Sequence, residues 1–167
     1  MRIFDSKFKG NVLRYILQCL IAMIMVFVVL FLDDTVFSMT IIASLGASTF
    51  IALTMPHTNA ARPRYLIGGY IVGAACGIFM NQVCNYLVSI DVRLLGHPPY
   101  ILSCAIAVGL AMFIMVITNS EHPPAAALSM GLVLQSNVLI TAAIAIASII
   151  IVSAIKTLMG KWLKNLL

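Results

Sequence analysis

Charged residues are scarce in this sequence. Lys, Arg, Asp and Glu make up 9% of its 167 residues, whereas hydrophobic residues make up 62% and the mean hydropathy is +1.10. A soluble domain of this size needs far more charge to cover its surface, so hydrocarbon must be the main solvent of this chain. The net charge of +5 comes from a few basic residues at the ends of apolar segments. That placement is typical of membrane flanks and argues against a nucleic-acid-binding surface.

Side chains for metal or redox chemistry are also few. The cysteines lie inside apolar runs without metal or redox spacing, so we expect them to be small buried hydrophobic side chains: Cys19, Cys76, Cys84 and Cys104. A membrane enzyme that uses Glu121, His57 and His122 is one alternative function. It requires an acid/base pair or a metal set, and the three histidines fall on two faces of the predicted topology. We therefore expect no enzyme, no metal and no cofactor.

Apolar runs dominate the rest of the chain and predict an all-α, polytopic transmembrane bundle of about six short spans. The first run ends in "VVLFLDD" without a small-residue cleavage site, which indicates a retained anchor rather than a signal peptide. The predicted segments are 15–32, 36–55, 65–90, 100–118, 125–134 and 138–155. We assign 1–14 to a cytoplasmic N-terminal segment, 15–155 to the transmembrane domain and 156–167 to a cytoplasmic basic tail.

The fifth segment decides the topology because it is short. A helix from Pro123 to Gln135 would be about 20 Å long against roughly 30 Å of hydrocarbon, so it either re-enters or crosses a thinned membrane. With a cytoplasmic N-terminus and six crossings, every basic residue except Arg93 lies inside, while Asp33 and Asp34 face out. A re-entrant segment would move the C-terminal lysines outside, against the positive-inside bias. We therefore predict six crossings, with both termini in the cytoplasm, in a bacterial inner membrane.

The tripeptide His-Pro-Pro occurs twice, in different surroundings. "GHPPY" at 96–100 is typical of an external turn that leads into a helix at an interface tyrosine. "EHPPAA" at 121–126 opens the short segment, so Pro123 and Pro124 would begin a helix capped by His122. The amides of Ala125 and Ala126 would then be free, and bare amides at a helix N-terminus bind anions readily. The alternative is a plain helix start at the membrane surface.

A second polar cluster lies on the same predicted side, in the loop "PHTNAARPR" at 56–64. Its candidate anion-binding residues are His57, Thr58, Asn59, Arg62 and Arg64, although both arginines also fit as positive-inside anchors. Glu121 is either a surface carboxylate, a salt-bridge partner of a loop arginine or a proton carrier. "FIALTMPHTNAA" at 50–61 weakly echoes "FIMVITNSEHPPAA" at 113–126. As an internal repeat, this echo would describe two parallel helical hairpins whose turns face one another.

Small and amide residues mark the third segment. Gly69, Gly73 and Gly77 form a small-xxx-small ridge, which predicts close helix packing and offers a surface for a homo-oligomer. Amide side chains further along form a polar stripe that either lines a water path or hydrogen-bonds to neighbouring helices: Asn81, Gln82 and Asn85.

Three stretches together resemble the HPP family of integral membrane proteins: "GAS" at 46–48, "PHTNAARPRYLIGGYIVGAACG" at 56–77 and "EHPPAAALSMG" at 121–131. The resemblance implies a small multi-span membrane protein, usually described with four spans, and some relatives are linked to nitrite transport. The positions that match the family pattern are Pro56, Ala60, Pro63, Gly68, Gly69, Gly77, His122, Pro123 and Pro124. Family members commonly carry a histidine after the glycine pair, where this chain has Tyr70.

The residues and the resemblance together favour a transporter or channel for a small anion, nitrite-like by resemblance. The predicted substrate-binding residues are Ser48, His57, Thr58, Asn59, Arg62, Arg64, Glu121, His122, Pro123, Pro124, Ala125 and Ala126. Six short spans leave little buried volume for a pore, so we expect a homo-oligomer in the lipid bilayer. The alternative is a non-transporting scaffold or sensor subunit, which would bind or assemble without flux.

Overall fold

The computed structural model describes residues 8–32, 39–93 and 96–166. Six α-helices lie within these ranges: α1 (Phe8–Leu32), α2 (Met39–Thr54), α3 (Pro63–Ser89), α4 (Pro99–Thr118), α5 (Pro123–Val133) and α6 (Val138–Leu158). A single 3-10 turn, Asn59–Ala61, precedes α3. Each predicted segment corresponds to one helix, so the predicted all-α membrane bundle is confirmed. Asp33, Asp34 and the predicted start of the second segment lie outside the described residues.

Proline determines where three of the helices begin. Pro63, Pro99 and Pro123 occupy the first helical positions of α3, α4 and α5. An N–H is not needed there, and the proline ring presets the helical φ angle. α4 ends at Asn119, which adopts a left-handed conformation with φ 52°. Asparagine tolerates this conformation better than most residues, so the chain can leave α4 sharply and turn towards α5.

Helix length separates two groups within the bundle. Three helices of the described chain, α3, α4 and α6, are long and apolar enough to cross a membrane. The apolar parts of the other three are shorter: Asn11–Phe27, Ile42–Thr54 and Pro123–Val133. The family resemblance implies four spans, which does not match the six helices of the described residues. Short helices give a weak hydropathy signal, so a count of spans from hydropathy misses them easily.

The glycine ridge of α3 packs against α5 of the same chain. A Cβ atom on Gly69 would lie 2.5 Å from the His122 Cβ, and one on Gly77 would lie 2.7 Å from the Leu132 Cβ. Because the numbering increases in the same direction on both helices, α3 and α5 run parallel. The predicted close packing is confirmed, but the idea that this ridge serves a second copy is wrong, since α5 already covers it.

α6 runs back beside α3, so α5 does not return to the end of the bundle from which it came. Lys156 near the end of α6 interacts electrostatically with Arg62 at the start of α3. At the other end, the Asn81 side chain donates to the carbonyls of Val133 and Gln135, just before α6 begins. α5 therefore leads away from the end of the bundle at which α4 ends, and the crossing of the membrane by this short helix stays a prediction.

Both ends of the described chain meet at one end of the bundle. The Tyr15 hydroxyl donates to the Leu166 carbonyl at 2.9 Å, and the Gln18 side-chain amide donates to the Lys164 carbonyl at 3.1 Å. We call this the basic end, because it carries Arg14, Arg62, Arg64, Lys156, Lys161 and Lys164. Arg93 pairs with Asp91 at 3.3 Å, beyond the opposite end of α3.

Candidate solute-binding site

His122 lies inside the bundle at the N-terminus of α5. Residues 119–122 lead from α4 to α5 without helical structure, and only 1% of His122 is exposed. Its side chain rests against the backbone of Gly69, where any Cβ would overlap it. Gly69 of α3 therefore makes room for the His122 side chain.

A chain of buried hydroxyl groups holds one edge of this ring. The His122 Nε2 lies 2.8 Å from the Ser48 Oγ, which lies 2.9 Å from the Tyr70 hydroxyl. The Tyr70 hydroxyl in turn lies 2.7 Å from the Ser44 Oγ, and Ser44 donates to the Pro124 carbonyl at 2.9 Å. The four side chains connect α2, α3 and the start of α5. Such a connected polar network fixes the position of its members more firmly than single hydrogen bonds do.

The protons of this network determine the tautomer of the neutral imidazole. The Ser48 hydroxyl donates to the Ser44 carbonyl at 2.9 Å, and a carbonyl can only accept. We assign the single Ser48 proton to this bond, and in this assignment the His122 Nε2 donates to the Ser48 Oγ. A neutral imidazole carries one N–H, so the Nδ1 atom is an unprotonated acceptor. This buried Nδ1 has no hydrogen-bond partner within the described part of the chain.

His122 also lines a cavity of about 500 Å³ between α4 and α5. The lining residues are Val108, Met112, Met115, Val116, Glu121, His122, Pro123, Ala126, Ala127 and Met130. Apart from Glu121 and His122, the lining side chains are apolar. A cavity of this volume with mostly apolar walls and few polar groups is typical of a site for a small molecule.

The amides at the start of α5 are not free. The amides of Ala125 and Ala126 donate to the His122 carbonyl at 2.9 and 3.4 Å. Pro123 and Pro124 have no N–H, so the first turn of α5 offers no bare donor from these four positions. The predicted anion site on free amides is therefore wrong. After two prolines the next amide can already bond to the N-cap carbonyl, which leaves no amide over for a ligand.

The loop residues predicted to complete the site lie at the basic end instead. His57 contacts the Leu163 carbonyl through its Nε2 at 3.1 Å, and Thr58 donates to the Met55 carbonyl. Asn59 and Arg62 are exposed. None of these four lines the cavity. Of the residues predicted outside α5 and its N-terminal segment, Ser48 alone reaches the His122 ring.

Arg64 occupies an intermediate position. Its guanidinium donates to the Thr118 carbonyl at 3.0 Å, and the neighbouring Tyr65 hydroxyl donates to the Asn119 side chain at 2.9 Å. The turns that begin α3 and end α4 are therefore in contact. This agrees with the predicted pair of parallel hairpins with facing turns. Arg64 places a positive charge beside the start of the 119–122 segment.

Sequence reasoning missed Tyr70 and Ser44 as parts of the site. In the sequence, Tyr70 stands out only as a departure from the family pattern, although a buried tyrosine needs a partner for its hydroxyl. Ser44 and Ser48 are four residues apart and therefore lie on one face of α2. That spacing was the available signal for a shared hydrogen-bonding partner.

The fold and the site together define a polytopic helical membrane protein with a buried histidine at the wall of a cavity. The chain belongs to the HPP transmembrane family, because the family model "HPP, transmembrane region" matches residues 7–167. This confirms the resemblance noted in the sequence.

A similar protein is a transmembrane protein of Dictyostelium discoideum, which is 32% identical to this chain over 87 residues. The aligned region covers 52% of this chain and 27% of that relative, so the chain matches about a quarter of the relative's length. No solved structure matches the chain.

Proposed function

We propose that the protein is a membrane transporter for a small anion, nitrite-like by family resemblance, with His122 as its polar contact in the α4–α5 cavity. One observation carries the proposal: His122, which is buried and has an unpartnered ring nitrogen, lines a cavity at the turn from α4 into the short helix α5. Membrane transporters commonly build their binding sites where short helices begin inside the bundle. A purely structural histidine would be expected to satisfy both ring nitrogens.

The charge distribution supports an orientation for this transporter. The basic end of the bundle would face the cytoplasm, because cytoplasmic flanks are enriched in Lys and Arg. In that orientation both termini lie on the cytoplasmic side of a bacterial inner membrane. Arg64 would then attract anions from the cytoplasm to the 119–122 segment. The cavity lies beside exposed α4 residues such as Met112 and Val116. A second copy would close it there, so a homo-oligomer is part of the proposal.

Nitrite uptake into liposomes that contain the purified protein tests this function. Wild-type protein is expected to give uptake above protein-free liposomes, and His122→Ala is expected to reduce it by about tenfold or more. A loss of that size corresponds to one hydrogen bond of about 1.4 kcal/mol. His97→Ala is the matched control, because His97 belongs to the other His-Pro-Pro copy and is exposed.

Two results would contradict this proposal. One is equal uptake by wild type and His122→Ala, provided that both variants remain folded in detergent. The other is no uptake by wild type above protein-free liposomes. In that second case, solute binding or assembly without flux would support a scaffold or sensor subunit instead.

A further inference from the structure

We propose that the solute enters the α4–α5 cavity as its neutral conjugate acid, so that each anion crosses together with one proton. This inference rests on the proposed transport function and names the chemical form of the substrate. It follows from the walls of the cavity and from the protons of the His122 network.

The cavity offers nothing to balance a negative charge. Among the described residues that line it, none is Lys or Arg, and the one acidic side chain, that of Glu121, offers an anion no positive partner. The Arg64 guanidinium is bonded to the Thr118 carbonyl outside this lining. Moving an unpaired carboxylate-sized ion into such surroundings costs several kcal/mol or more. A neutral acid of the same size avoids most of that cost.

In the tautomer assigned above, the Nε2–H of His122 donates to Ser48 and the unpartnered Nδ1 is an acceptor. A ligand that reaches this buried nitrogen from the cavity must therefore donate a hydrogen bond. A bare anion has no hydrogen to donate, whereas the O–H of a protonated acid does. The titratable side chains near His122 are Tyr70 of α3, which contacts its ring, and Glu121, which lines the same cavity. α4 contributes only apolar side chains to the cavity wall. The acceptor nitrogen of the ring and the mostly apolar walls of the cavity therefore both favour the neutral, protonated acid.

The proton balance of the transport step is simple. The anion takes a proton from water before it enters, and the resulting acid donates its O–H to the Nδ1 of His122. The acid gives the proton back to water on the other side. One proton and one negative charge cross together, so no net charge moves.

Nitrite and nitrate form a matched pair of probes, because they are similar in size but only nitrite is the anion of a weak acid. Saturable uptake by the wild-type protein, after subtraction of protein-free liposomes, is expected to be at least about tenfold faster for nitrite. It is expected to rise about tenfold for each unit by which the external pH falls, in step with the concentration of the neutral acid. A potassium diffusion potential set with valinomycin is expected to leave the rate unchanged.

The possible failures are distinguishable. Nitrate uptake as fast as nitrite uptake, or uptake driven by the imposed potential, would show that the bare anion passes. That result would overturn this inference and leave the transport function intact. Absence of protein-dependent uptake for both ions would overturn the transport function itself.

Two substitutions at His122 test the role of Nδ1. The amide of glutamine takes approximately the position of Nε2, and that of asparagine approximately the position of Nδ1. His122→Gln is therefore expected to keep the contact with Ser48 and the thermal stability, yet to lose saturable nitrite uptake by about tenfold or more. His122→Asn, which keeps an acceptor near the cavity, is expected to retain more of it. Full uptake by His122→Gln would rule out a role for Nδ1.

Discussion

The Gly73→Ala substitution is expected to destabilise the bundle by about 1–3 kcal/mol or more, because it forces two backbones apart. A Cβ atom at residue 73 would overlap the carbonyl oxygen of Ala125 and lie 3.0 Å from its carbonyl carbon. These are backbone atoms of α5 and cannot rotate away as a flexible side chain can. α5 would have to move as a whole, and His122 at its N-terminus would move with it.

The measurement is thermal unfolding of the purified protein in detergent, compared with Gly109→Ala. Gly109 lies within α4, and a Cβ atom there would have nothing within 4 Å. The control variant is expected to be as stable as wild type or slightly more stable, since alanine favours a helix over glycine by about 1 kcal/mol. Equal behaviour of the two variants would show that α3 and α5 are not packed backbone to backbone.

The Asn81→Leu substitution is expected to destabilise the protein by about 2 kcal/mol or more, because it removes the hydrogen-bond donors that serve the end of α5. The Asn81 side-chain amide lies 3.2, 2.8 and 2.9 Å from the carbonyls of Leu132, Val133 and Gln135. An amide has two hydrogens, so at least two carbonyls would lose a donor, at about 1–3 kcal/mol each where water is scarce.

Asn85→Leu provides the comparison for this effect. Asn85 lies one turn further along α3, is exposed, and donates to the Asn81 side chain at 3.2 Å. Its loss removes one hydrogen bond, so we expect a cost of about 1 kcal/mol or less. Denaturant unfolding in detergent measures both variants. If the two substitutions cost the same, the end of α5 does not depend on Asn81.

The helices were largely predictable because the signals that define them are local. Hydropathy located all six, and prolines marked the starts of α3, α4 and α5. The site was less predictable, because its residues lie on different helices and meet only through the packing of those helices. The small-residue pattern from Gly69 to Gly77 predicts close packing, but it does not distinguish α5 from a second copy of the chain as the packing partner. The same holds for Ser44, whose partners Tyr70 and Pro124 are distant in the sequence.

The failed prediction of free amides has a different cause. The pattern at His122-Pro123-Pro124 correctly predicted the start of a helix, but proline removes donors as well as orienting the backbone. The remaining amides of the first turn, those of Ala125 and Ala126, bond to the carbonyl of their own N-cap residue, His122. The polar atom that stays unpartnered is a side-chain nitrogen, and the tautomer that makes it an acceptor depends on Ser48, 74 residues away in the sequence.

The contacts at the basic end impose an order on biosynthesis. Lys164 and Leu166 bond to Gln18 and Tyr15 of α1, and the Leu166 amide bonds to the Thr54 carbonyl at the end of α2. The ribosome makes these residues after α1 to α6, so α1 is held by residues that are translated much later. Until α6 has been synthesised, α1 and α2 must remain without these contacts at the basic end.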